Sequence, residues 1–215
     1  SRRQRQMCIR DRIGAMDLES SLKNYLAMQD GGGRRIPYLA VIHRLDQPVE
    51  GILVFGKTPE AAKSLSAQIT AGKMEKIYLA VTYGKQAEAG KKEKVLEDYL
   101  KKDGKSNTSS VVNAHTPGAK KARLSYEVLG EAVDAISGKK KWPLRIHLDT
   151  GRHHQIRVQF ASRGLGLYGD TKYNSKFQKT KKKYTEIGLY STRISFNHPV
   201  TGERMTFKIC LLYTS

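Results

Sequence analysis

His43-Arg44-Leu45-Asp46-Gln47-Pro48-Val49-Glu50-Gly51-Ile52-Leu53-Val54-Phe55 is a polar loop set between two apolar runs. Upstream, residues 38–42 are apolar and β-prone. Downstream, residues 51–55 (GILVF) form a short continuous apolar run, the pattern of a buried strand. A cation at Arg44 and a carboxylate at Asp46, two positions apart in such a loop, can point into a shared cleft. An aspartate in a connection can equally be spent on nearby backbone amides. These residues alone leave both readings open.

Working outward, residues 17–28 place Leu18, Leu22, Tyr25 and Leu26 at helical spacing behind Asp17, a suitable N-cap. Residues 31–36 read as a flexible basic loop. Thr58-Pro59 opens a second helix, with Ala62, Leu65 and Ile69 on one face and Gly72 at its end. Residues 74–83, 95–101 and 122–129 read as strands, with a polar hairpin and a mobile tip across residues 102–121. Residues 144–148 alternate as a half-buried strand does. Residues 153–162 read as a helix closed by Gly164. Residues 188–196 and 203–209 read as a last strand pair joined through His198-Pro199-Val200-Thr201-Gly202. Many strands with few helices and no regular β-α alternation predict an α+β fold with a mixed, mostly antiparallel sheet.

Composition narrows the partners. Lys and Arg number 39 against 20 Asp and Glu, a net charge of +19, which favours a polyanion, above all nucleic acid. Residues 172–183 hold six lysines and no acid, and residues 138–145 (GKKKWPLR) are basic too, so both read as phosphate-holding loops. No run approaches the ~18 apolar residues of a membrane span, and no apolar segment of signal-peptide type follows the basic N-terminus. Cys8 and Cys210 sit far apart, and no Cys/His cluster has zinc spacing. The expectation is a reduced, cytoplasmic, metal-free monomer. Residues 1–12 (SRRQRQMCIRDR) and 210–215 (CLLYTS) carry no pattern that continues into their neighbours. Both read as sequence foreign to the domain, which places the native piece at residues 13–209.

Two further segments can carry chemistry. In Thr150-Gly151-Arg152-His153-His154-Gln155-Ile156-Arg157, Arg152, His153 and His154 fall near a helix N-terminus, where backbone N–H groups attract anions. Arg157 lies a turn further on, where a guanidinium can pair with a carboxylate or phosphate. A solvated basic helix start is the plain alternative. In Lys76-Ile77-Tyr78-Leu79-Ala80, Lys76 and Tyr78 share one strand face. Tyr78 can stack on a base or move a proton, or it can be a core-edge tyrosine with its hydroxyl bonded.

Taken together and in order, these segments resemble the RluA-type family of RNA pseudouridine synthases. The resemblance rests on His43-Arg44-Leu45-Asp46 with its following GILVF, on Lys76-x-Tyr78-x-Ala80, and on Gly151-Arg152-x-His154-Gln155-Ile156-Arg157. Tyr168-Gly169-Asp170-x-x-Tyr173 and Asn197-His198-Pro199 extend it, so that it covers roughly residues 16–208. Two departures stand out: no Lys-Pro-x-Gly segment precedes the first helix, and His153 stands where the family most often has Thr or Lys.

The resemblance implies a pseudouridine synthase fold, its mixed, mostly antiparallel sheet and few helices set around a central RNA-binding cleft. It implies isomerisation of uridine in rRNA or tRNA without cofactor. Asp46, Tyr78 and Arg157 would be catalytic, with Arg157 paired to Asp46 and Tyr78 against the uracil. His43, Arg44, Lys76, Arg152, His153, His154 and Gln155 would contact RNA. The missing Lys-Pro-x-Gly wall keeps a catalytically silent RNA-binding protein as the alternative. A small basic ribosome-associated protein would explain the charge but not the ordered segments.

Overall fold

The computed structural model of the chain describes residues 17–29, 36–83, 93–134, 138–178 and 186–209. Helix α1 (Leu18–Gln29) begins where expected, with Asp17 Oδ1 accepting from Ser20 N–H at 2.7 Å. None of its side chains is buried, so its apolar stripe covers no core among the described residues. The basic loop after it, both chain ends and the later part of the 172–183 run lie outside the described residues.

Strand β1 (Ala40–Val41) leads into the Asp46 loop. The run 51–55 is not one strand. It divides into β2 (Glu50–Gly51) and β3 (Phe55–Gly56), which belong to different sheets. Gly51 is the reason. Its φ is +136°, and a Cβ there would lie 2.2 Å from Ser191 O. Only glycine lets the chain pass so close to Ser191 and then swing away to pair β3 with β1.

Helix α2 (Pro59–Thr70) follows the expected signals: Thr58 Oγ1 accepts from Ala61 N–H at 3.1 Å, and Pro59 occupies the first turn. Leu65 and Ile69 pack it onto Val54, Met74, Ile194 and Phe196. Next come β4 (Glu75–Tyr83), β5 (Lys94–Asp103), β6 (Thr108–Val112), β7 (Lys120–Val128), β8 (Ala132–Val133) and β9 (Lys140–Leu148). Helix α3 (Gln155–Ala161), the short α4 (Ser175–Gln178), β10 (Leu189–Asn197) and β11 (Arg204–Lys208) complete the chain. Gly164, φ +73°, ends α3 with Leu165 N–H bonded to Phe160 O and Gly164 N–H to Ala161 O.

Among the described residues the main sheet has nine strands, seven of them in the order β11-β10-β4-β9-β7-β5-β6 and all antiparallel. Strand β2 adds a parallel pairing to β10, Glu50 beside Tyr190 and Gly51 beside Ser191. The α+β, mostly antiparallel expectation is therefore observed. One face of the sheet carries Tyr78, Ala80, Leu124, Tyr126, Leu144 and Ile146. Val49 and Leu45 of the Asp46 loop, and Ile156 and Phe160 of α3, pack against that face.

The hairpin expected at residues 102–121 is present as β5–β6, and the expectation of a basic loop at 138–145 is corrected. Residues 102–121 contain β6, and Asp103 closes the tip by accepting from Lys105 N–H at 2.9 Å and Ser106 Oγ at 2.6 Å. Residues 138–145 are mostly strand β9, not a loop. Pairing with β4, β7 and β8 sets their cations beside acids: Lys140 meets Glu131 at 2.9 Å, while Lys141 pairs with Asp134 and Arg145 with Glu127. Those charges are already neutralised within the fold.

Candidate active site

Three segments far apart in sequence meet on the covered face of the sheet. The Asp46 loop closes as a turn, with Val49 N–H donating to Asp46 O at 2.8 Å. The Asp46 carboxylate is not spent on that turn. Arg157 Nη1 reaches its Oδ2 at 3.3 Å, and His154 Nε2 lies 3.8 Å from the same oxygen. Burial pushes the Asp46 carboxyl above its ordinary value, while the charge and hydrogen bond of Arg157 pull against that rise.

Arg157 is itself aimed from behind. Its Nε donates to Asp170 Oδ2 at 2.9 Å and its Nη2 to Asp170 Oδ1 at 2.7 Å. Burial works against this cation, but Asp170 and then Asp46 outweigh it and hold the guanidinium charged. Asp170 is fixed in turn by the backbone N–H groups of Lys172 (2.9 Å) and Tyr173 (3.1 Å). The Tyr173 ring lies over Arg157, 5.1 Å from the guanidinium carbon.

Tyr78 faces the same space from β4. Burial, and then the nearby Asp46 charge against the pull of Ser191, pushes its phenol up to about 12. It is a neutral phenol at physiological pH. A ring of this kind suits stacking on a base.

The other expected positions separate into two groups. Arg44 is exposed beside Asp46 and Arg152 is exposed before α3, its Nε donating to Lys121 O at 2.8 Å. Both side chains reach the surface. The rest are occupied inside the protein. His43 accepts Val54 N–H at 3.2 Å, and burial followed by the Lys76 charge lowers its pKa to about 4. Lys76 is buried, its Nζ 3.3 Å from where a Cβ on Gly151 would stand, and burial lowers its pKa. Gln155 is buried and latches the turn before α3: its Oε1 accepts from Thr150 Oγ1 at 2.8 Å and Arg152 N–H at 3.0 Å, and its amide donates to Arg123 O at 3.1 Å.

His153 and His154 stack with ring centroids 3.7 Å apart. Both are neutral near pH 7: burial, then neighbouring cations, lowers His153 to about 4 and His154 to about 2. They do not add positive charge for phosphates. His153 Nδ1 meets Ser109 Oγ at 2.8 Å and its Nε2 meets Asn107 Oδ1 at 3.2 Å, so the β5–β6 hairpin docks onto the start of α3.

Asp170, Tyr173, Ser109 and Asn107 were not among the expected site residues. Asp170 and Tyr173 had a signal, the Gly-Asp-x-x-Tyr stretch. Ser109 and Asn107 sit in a polar hairpin whose sequence says nothing of its docking.

The profile of a family described as RNA pseudouridylate synthase matches residues 11–162. Ribosomal large subunit pseudouridine synthase D of Vibrio cholerae is 28% identical over 204 residues, covering 90% of this chain and 59% of the relative. Ribosomal large subunit pseudouridine synthase C of Pasteurella multocida is 32% identical over 173 residues, covering 78% of this chain and 49% of the relative. The chain thus spans about half to six-tenths of the length of such relatives. Among solved structures, human RNA pseudouridylate synthase domain containing 4 superposes with a TM-score of 0.69 at 18% identity, over 96% of this chain and 82% of that one. Human RNA pseudouridylate synthase domain containing 1 gives 0.66 at 20% identity, over 86% and 74%. These two likenesses establish the fold.

Proposed function

Since this chain belongs to the RluA-type RNA pseudouridylate synthase family, we propose that it isomerises uridine to pseudouridine in structured RNA, with Asp46 as the catalytic carboxylate. Ribosomal RNA is the favoured substrate, because the similar curated proteins are named for the large ribosomal subunit. Transfer RNA is the second candidate. The observation that carries the reading is the Asp46 oxygen held 3.3 Å from an Arg157 that is itself fixed by Asp170.

The reaction breaks the N1–C1′ bond, turns the base and joins C1′ to C5. The C5 proton leaves and N1 ends protonated, so atoms balance without oxidation or hydrolysis. That chemistry calls for no redox cofactor, nucleotide or metal. Asp46 either attacks C1′ or takes a sugar proton. Arg157 keeps the carboxylate ionised and aimed. Tyr78 packs on the uracil, and its hydroxyl is the candidate to relay the C5 proton.

The target uridine leaves its stack at a cost of a few kcal/mol. Arg44, exposed beside Asp46, fills the vacated space. Lys102 and Lys172, whose charges reach His154, and Arg152, exposed before α3, meet phosphates. The protein works as a cytoplasmic monomer on this reading, and no described helix is long and apolar enough to cross a membrane.

The test is pseudouridine mapping of ribosomal and transfer RNA incubated with the protein and with Asp46→Asn. Product from the wild type alone is expected. Equal product from Asp46→Asn sinks the assignment of Asp46. Salt-sensitive RNA binding with no product from either favours a silent RNA-binding protein instead.

A further inference from the structure

Tyr173 Oη makes two hydrogen bonds among the described residues. It accepts from Ser109 N–H at 2.8 Å and meets His154 Nδ1 at 2.7 Å. The phenol has one proton to give, and of these two partners only Nδ1 can accept it. Burial, then Arg157, His153, Lys172 and Lys102, keeps the His154 imidazole neutral. A neutral imidazole that accepts at Nδ1 carries its hydrogen on Nε2. That Nε2 faces Asp46 Oδ2 at 3.8 Å, the oxygen that Arg157 also reaches.

The backbone of His154 is left-handed, φ 53° and ψ 27°, at the N-cap of α3. This conformation is uncommon outside glycine, and histidine is among the side chains that enter it most readily. Here the stacked His153 ring and Tyr173 hold the imidazole, one nitrogen to Tyr173 and the other toward Asp46.

We propose that His154 is a positioning residue: Tyr173 fixes its Nε2–H tautomer, and that N–H dipole, turned from 3.8 Å toward the oxygen that Arg157 bonds, helps orient the Asp46 carboxylate and leaves the other oxygen to meet the ribose. The proposal rests on Asp46 being the reacting carboxylate. The groups facing Asp46 are Arg157 and His154 from the start of α3, Asp170, Lys172 and Tyr173 from the segment after it, and Tyr78 from β4. His154 differs from the rest in that its contribution depends on which of its nitrogens bears the hydrogen.

Nitrogen-15 spectra of the histidine-labelled protein read the tautomer directly. Nε2 protonated and Nδ1 bare at neutral pH is the expected result, and a hydrogen on Nδ1 overturns the proposal. Titration of the carbon-13-labelled Asp46 carboxyl in the wild type, His154→Asn and Tyr173→Phe reads the hold on the carboxylate. Asparagine tolerates the left-handed backbone but falls short of Asp46. Phenylalanine keeps the ring over Arg157, removes the O–H, and frees His154 to turn a bare nitrogen toward the carboxylate. The Asp46 midpoint should rise by about half a unit to one unit in each variant. An unmoved midpoint in either folded variant overturns the proposal. Neither readout needs RNA. A wild type that makes no pseudouridine, yet shows the tautomer and the shifts, would bring down the isomerase reading and leave this positioning intact.

Discussion

Arg157 and Asp170 form a two-bond ion pair, 2.9 and 2.7 Å, in which both side chains are almost wholly buried. The Nε–Nη2 edge of the guanidinium is committed to Asp170, so Asp46 receives only Nη1. Asp46, the carboxylate proposed to be catalytic, is therefore aimed by a second carboxylate through a shared cation.

Asp170→Asn should strip a buried cation of its main counter-charge. The expected cost is about 3–5 kcal/mol in urea unfolding. Isomerisation should slow on the order of 10²-fold as Arg157 drifts from its aim. Asp46→Asn, at a partly exposed position, should abolish turnover with a much smaller loss of stability. A wild-type urea midpoint for Asp170→Asn would show that the pair anchors nothing.

Tyr78 is expected to act as a neutral phenol, since its pKa is pushed up to about 12. Tyr78→Phe should bind RNA as the wild type does. It should slow tritium release from RNA carrying 5-tritiated uridine by roughly 10²–10⁴-fold, the range for a lost proton-transfer group. Tyr78→Leu should in addition lose the stacking contribution of about 1–3 kcal/mol to RNA affinity. Undiminished tritium release from Tyr78→Phe would remove the tyrosine from the proton path.

Gly51 has no room for a side chain, with Ser191 O 2.2 Å and Ser191 N 2.6 Å from its would-be Cβ. Gly51→Ala should cost about 3 kcal/mol or more and loosen the Asp46 loop. Gly118 is the control: its φ is +80° but nothing lies within 4 Å. Gly118→Ala should cost only about 1 kcal/mol. Thermal melting of the two variants makes the comparison, and equal melting temperatures would refute the steric argument.

Three histidines tie stability to pH. Burial lowers the pKa of His43 and His153 to about 4 and that of His154 to about 2, each below the ordinary imidazole value of 6.5. The unfolded chain therefore takes up protons first as pH falls, and stability should drop below about pH 6.5. Asp46, raised, runs the other way, losing stability as pH rises through its own carboxyl range. Half-exposed His153 should contribute less than its shift alone suggests. Urea midpoints measured from about pH 7.5 down to about pH 5 should fall, and a flat or rising series would contradict the burial of these rings.

Much of this was legible in the sequence where local chemistry decides the outcome. Asp17, Thr58-Pro59 and Gly164 marked helix ends because caps act within a few residues. Alternation in residues 74–83 placed Lys76 and Tyr78 on one face of β4. What depends on distant neighbours was not legible. The apolar run 51–55 looked like one strand because nothing in it reveals Ser191 pressing on Gly51. Residues 138–145 looked like a free basic loop because their acidic partners Glu127, Glu131 and Asp134 sit on other segments or only pair once β9 forms. The expected Asp46–Arg157 contact is present, while the binding of Arg157 by Asp170 came only from three dimensions.

The parallel pairing of Glu50 and Gly51 with Tyr190 and Ser191 bears on when the site comes into being. A ribosome delivers β10 long after the Asp46 loop, so the loop waits for its mooring while most of the chain is synthesised. A nascent chain lacking β10 has Asp46 in its sequence but not the strand that Glu50 and Gly51 pair with. On the proposed function, completion of the Asp46 site waits for the late strand, and chains stalled before it should make no pseudouridine.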